Sequence, residues 1–110
     1  MITARVTGKI TEIGEITTLK DSSRKVQRIQ VTTIITPDAL GRLTEKENIF
    51  DVFIYGNDIL KVWQDHNDNL PTPTVNIETQ VIGRLKYDKA GAAYNNITLR
   101  LLTIKFNYAL

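Results

Sequence analysis

The sequence predicts an all-β domain: a five-stranded Greek-key barrel with one short helix between the third and fourth strands. Three observations lead there. Five stretches alternate apolar and polar residues with a period of two. A helical stripe interrupts them once, after DVFIYG at residues 51–56. Glycines and phase shifts fall inside the long strands, where a sheet that closes on itself has to bend.

Residues 2–11 form the first strand. Ile2, Ala4, Val6, Gly8 and Ile10 share one side, and Thr3, Arg5, Thr7, Lys9 and Thr11 the other. Gly8 marks a bulge or tight bend, and the apolar phase moves to Ile13 and Ile16 near Gly14. LKDSSRK at 19–25 is a turn. The second strand covers 26–36, with Ile29, Val31, Thr33 and Ile35 opposite Arg28, Gln30 and Thr32. Residues 37–48 form a polar loop with Pro and Gly, long enough to be functional or mobile. The third strand is 49–55. Asn57 then caps a short helix, Asp58 suits its first turn, and Ile59, Leu60 and Trp63 make its apolar stripe. HNDNLPTPT at 66–74 ends the helix and links it onward. The fourth strand covers 75–86, with Val75, Ile77, Val81 and Leu85 in phase. A hairpin connection at 87–93 leads to the fifth strand at 94–106. There Ile97, Leu99 and Leu101 give way to Leu102, Ile104 and Phe106. This order is that of the oligonucleotide/oligosaccharide-binding (OB) fold, with the helix plugging the barrel's open end and Trp63 beneath the core. A sandwich is disfavoured because it needs about seven strands.

The 110 residues suggest a single domain over 1–110, and 42% apolar content suffices for one core. There is no cysteine, which excludes disulfides, thiolate metal sites and cysteine nucleophiles and fits a reducing, cytoplasmic setting. No apolar run approaches the ~20 residues of a membrane span, and the N-terminus alternates unlike a secretory signal. Net charge is only +2, but it is unevenly spread. Residues 1–36 carry six basic and three acidic groups, 37–78 three and eight, and 79–110 five and one. If the two basic ends share a sheet, one face becomes positive.

Chemistry finds little support. His66 is the one histidine and reads as a solvated loop residue. No zinc spacing, glycine-rich phosphate loop, nucleophile elbow or calcium loop exists, so neither a catalytic residue, a metal nor a cofactor is expected. The third strand is more informative. If Phe50, Val52 and Ile54 fill the barrel, then Ile49, Asp51, Phe53 and Tyr55 face outward. An outward ring is open to a flat π-system such as a nucleobase, or packs beneath a loop or subunit.

GKITEIGEI near the start, DVFIYG running into a helix, and VIGRLKYDKAGAAYNNITL together resemble bacterial and phage single-stranded DNA-binding proteins. The matching elements are Gly8-Lys9-Ile10, Tyr55-Gly56, Gly83-Arg84-Leu85 with Tyr87, the Asp88–Gly91 turn and Tyr94-Asn95-Asn96. They occur in order over nearly the whole chain. The resemblance implies a non-enzymatic protein that stacks bases on aromatic rings and holds phosphates with Lys and Arg. It matches Tyr55 to the aromatic before the glycine and Tyr87 to the aromatic after the Gly-x-Leu strand. A family tryptophan falls at Ile49, which cannot stack as an aromatic can. The chain closes on FNYAL, so no acidic C-terminal recruitment tail is expected.

The candidate nucleic-acid-binding residues are Tyr55, Phe53 and Tyr87, with Tyr94 also weighed as a structural residue. Arg28, Arg84, Lys86 and Arg100 join them, being on the outward phase of their strands and making a phosphate track as a group. The expected partner is single-stranded DNA, coated without sequence preference in replication, recombination, repair or transfer. A homodimer or homotetramer is expected from the resemblance, with the outer face of the first strand as a contact. The alternatives are an OB-fold protein–protein adaptor, favoured by Ile49 and the acidic middle, and a single-stranded RNA binder.

Overall fold

The computed structural model describes residues 1–33, 39–41, 48–64, 66 and 73–108. The strands are β1 (Thr3–Thr18), β2 (Lys25–Thr33), β3 (Ile49–Tyr55), β4 (Thr74–Tyr87) and β5 (Ala93–Asn107), with the helix α1 (Asp58–Gln64) between β3 and β4. The expected stretch 34–36 of the second strand, most of the 37–48 loop, and the linker at 67–72 lie outside the described residues. The strands close in the order β1-β2-β3-β5-β4. All pairings are antiparallel except β3 with β5. The five-stranded barrel with one helix is therefore as the alternation predicted.

Strand β1 serves both halves of the barrel: Gly8 pairs with Thr33 of β2 and with Val75 of β4. A Cβ at Gly8 would run into the Thr32 carbonyl oxygen, so only glycine permits this approach. The core receives side chains from every strand: Val6, Ile29, Val31, Val52, Ile54, Val75, Ile77 and Leu101. Burying each such residue is worth about 1.5–3 kcal/mol against leaving it exposed.

Bulges account for the phase shifts. On β5 the partners jump from Leu101 opposite Thr79 to Thr103 opposite Glu78, which makes Leu102 the extra residue. The inward series accordingly changes from Leu99 and Leu101 to Ile104 and Phe106, but Ile97, expected with the first pair, is 66% exposed, and Leu102 belongs to the bulge and stays 37% exposed. On β1 the irregularities lie between Ile10 and Glu12 and between Ile13 and Ile16. Beyond the first of them β1 stays paired with β2, Ile13 opposite the buried Ile29, but Ile13 and Ile16 are about half exposed rather than core residues. Leu85 also departs from expectation. The β4–β5 hairpin projects past the barrel, and Leu85 is 59% exposed on it.

The turn into the helix uses Gly56 at φ 59°, the left-handed region where a Cβ is costly. Its N–H donates to the Lys25 carbonyl at 2.8 Å, tying the end of β3 to the start of β2. The helix buries Ile59 and Val62 and half-buries Trp63, while Leu60 is exposed. The stripe is thus 59-62-63, not 59-60-63; residue 60 lies about 100° around the helix from 59. Trp63 packs beneath the core as expected. Its Nε1 donates to Gln27 Oε1 at 2.7 Å, and Gln27 Nε2 donates to the Gly14 carbonyl at 2.9 Å. Gln27 is buried, so these bonds satisfy a group that would otherwise destabilise the fold. His66 is not solvated as expected. It packs edge-on to Trp63 at 5.3 Å and lies 5.4 Å from Phe106. Phe106 and Tyr108 stack at 6.4 Å. Among the described residues, no helix is long and apolar enough to cross a membrane.

Candidate nucleic-acid interface

Strand alternation puts Asp51, Phe53 and Tyr55 on the outer face of β3, while Val52 and Ile54 are fully buried beneath them. The pairing register extends that face sideways. Phe53 lies opposite Arg28 on β2 and opposite Arg100 on β5, and Arg100 lies opposite Gln80 on β4. Arg28, Phe53, Arg100 and Gln80 therefore form one row across four strands. Along the projecting hairpin the same face carries Arg84 opposite Asn96 and Lys86 opposite Tyr94. Tyr55, Phe53, Arg28, Arg100, Arg84, Lys86 and Tyr94 thus share a face. Tyr87 does not: its position beside Lys86 puts it on the hairpin's other face, with Leu85 and Ile97. Leu85, Tyr87 and Ile97 are 59–66% exposed.

The cations on this face are held in different ways. Arg28 donates from Nη1 to Asp51 Oδ1 at 3.0 Å and from Nη2 to Glu12 Oε1 at 2.8 Å. These bonds, with Asp51 the larger contributor, raise its pKa above the ordinary arginine value. Arg28 consequently reaches any ligand already partnered by two carboxylates. Arg100 has its guanidinium carbon 5.3 Å from the centre of the Tyr55 ring, and Arg24 approaches the same ring at 5.3 Å. Among the described residues neither of these arginines makes an ion pair. Arg84 and Lys86 are exposed on the hairpin, likewise without an ion pair among the described residues. Phe53 and Tyr55 are half-buried, so each ring is anchored while keeping part of its surface open.

Arg24 is absent from the sequence-based site because it falls in the 19–25 turn. The signal was present: it shares the phase of Arg28, and Val26 between them pairs with Tyr55. Ile49, at the position of the family tryptophan, is 58% exposed at the start of β3. No group of three or more His, Asp or Glu residues that would hold a metal occurs among the described residues. The arrangement offers rings and cations, the chemistry of stacking and of anion neutralisation.

Comparison with solved structures identifies the architecture. The chain superposes on the mitochondrial single-stranded DNA-binding protein Rim1 of Saccharomyces cerevisiae with a TM-score of 0.65 at 12% identity, covering 97% of this chain and 95% of that one. A Plasmodium falciparum SSB in complex with ssDNA gives 0.63 at 14% identity, with 96% and 94% covered. A deletion mutant of the Thermus aquaticus single-stranded DNA-binding protein gives 0.63 at 15% identity, covering 94% of this chain and 49% of that one. The barrel is an OB fold. No family model matches the sequence, and no curated protein matches it.

Proposed function

We propose that the chain is a non-enzymatic single-stranded DNA-binding protein that coats its ligand without sequence preference. The observation that carries this is the continuous outer face on which Phe53 and Tyr55 lie among Arg24, Arg28 and Arg100, extended along the hairpin by Arg84, Lys86 and Tyr94. Partly open rings take up bases through π faces that all four bases possess, while Arg and Lys neutralise the backbone. The likeness of the OB barrel to single-stranded DNA-binding proteins, one of them in complex with ssDNA, supports the same reading.

One OB domain contacts roughly 4–16 nucleotides, so coating a long strand calls for several copies. We place the protein as a homodimer or homotetramer in the cytoplasm, acting in replication, recombination, repair or transfer, with the Thr3, Arg5, Thr7 and Lys9 face of β1 as the contact between copies. The deciding experiment is a titration of fluorescein-labelled oligo-dT, read by anisotropy, from 20 to 500 mM salt. Saturable binding that weakens steeply with salt is expected. No binding at 20 mM overturns the reading in favour of an adaptor. Clear preference for oligo-U over oligo-dT overturns it in favour of an RNA ligand, because only RNA offers a 2′-hydroxyl.

A further inference from the structure

The resemblance to DNA-binding relatives makes Tyr55 a stacking platform, but its surroundings in this chain give it different work. Arg24 and Arg100 each put the guanidinium carbon 5.3 Å from the ring centroid, within cation–π distance. They arrive from different elements: Arg24 from the turn that enters β2, and Arg100 from β5. The backbone at Arg24 is fixed there, its N–H donating to Ser22 Oγ at 3.2 Å and its carbonyl accepting from the Leu19 N–H at 2.9 Å. Neither guanidinium has a carboxylate partner among the described residues. Two like charges are thus drawn to one ring and stand no farther apart than twice the ring distance. At physiological salt, screening acts over about 8 Å, so any repulsion between them is largely screened at the upper end of that range and grows as they approach. An anion placed between or beside them relieves it.

We propose that Tyr55 is a positioning residue: its ring holds Arg24 and Arg100 as a preorganised pair for two backbone phosphates, while bases stack on Phe53. This rests on the reading of the face as a single-stranded DNA site, and it adds Arg24 to that site. The ring lowers the entropy lost when two long, flexible side chains meet a ligand, because they are gathered before it arrives.

Positioning and stacking leave different marks on salt dependence. Each phosphate contact contributes about 0.7 to the slope of log K against log salt for a single strand. A stacked base contributes to affinity without changing that slope. Oligo-dT binding is measured over a salt series for Arg24→Gln, Arg100→Gln, Tyr55→Ala, Tyr55→Leu and Tyr55→Phe. Each arginine variant is expected to reduce the slope by about 0.7. Tyr55→Ala and Tyr55→Leu are expected to reduce it further, towards the Arg24→Gln/Arg100→Gln double variant, and Tyr55→Phe to restore the native slope. Thermal melts identify folded variants, and Tyr55→Leu serves if Tyr55→Ala does not fold. Lower affinity at the native slope for Tyr55→Leu overturns the proposal and returns Tyr55 to stacking. If the unmodified protein fails to bind oligo-dT at any salt, the functional reading itself fails, which this series distinguishes.

Discussion

Phe53 neighbours two arginine groups that occupy the same barrel face and are held by opposite means. In one, Arg28 is clamped by Asp51 and Glu12 at 3.0 and 2.8 Å. In the other, Arg24 and Arg100 lean on the Tyr55 ring and have no carboxylate partner among the described residues. A polyanion approaching Arg28 competes with two anions already in place. A polyanion approaching the Tyr55 side meets cations with their charge uncompensated. Strand phase says which way an arginine points; its partner decides whether its charge is available.

Four experiments break or sharpen that contrast. The largest effect is expected from Trp63→Ala, which leaves both arginine groups in place and acts on stability alone. The substitution deletes the bond to Gln27 on β2, next to Arg28, and opens the packing below. It should cost about 3 kcal/mol of stability in urea denaturation, with oligo-dT affinity of the remaining folded protein nearly unchanged.

Next comes Phe53→Ala, which removes the ring opposite both Arg28 and Arg100. An affinity loss of about 1–3 kcal/mol is expected at an unchanged salt slope. Native affinity would move the binding site off this row altogether. A smaller change, opposite in sign, is expected from the double variant Glu12→Gln/Asp51→Asn. Freed from its clamp, Arg28 should tighten binding and steepen the slope by about 0.7, and adding Arg28→Gln should cancel the gain. If the double variant leaves the slope alone, the carboxylates are not what withholds Arg28.

The smallest effects fall on the hairpin. Tyr94→Ala should weaken oligo-dT binding a few-fold, and Tyr87→Ala less, because Tyr87 lies on the other face. Equal losses would mean that the strand wraps the hairpin and touches both faces.

The barrel was largely legible in the sequence because alternation and glycine placement are local signals. Val52 and Ile54 are as buried as their phase requires, and the shift beyond Leu101 predicted the change of inward series on β5. What could not be read was where strands outrun the barrel. Leu85, Ile13 and Ile16 keep an apolar pattern yet stay half exposed or more, Leu85 on the projecting β4–β5 hairpin. The site was legible as a face but not as a set of partnerships. Arg28 and Asp51 are 23 residues apart, and only the β2–β3 register brings them together. Arg24 looked like turn punctuation until closure set it beside Tyr55. His66 looked like a loop histidine until Phe106, from the far end of the chain, packed against it.

Gly8 carries a consequence for how this sequence can drift over time. With Lys9 it is where one strand is zipped to neighbours on both flanks, and the Thr33 Cα lies 3.1 Å from where its side chain would begin. Any larger residue there forces the seam apart, whatever happens at the ligand face. Descendants of this chain can exchange rings and cations to suit a new polymer, yet stay bound to one letter at the seam.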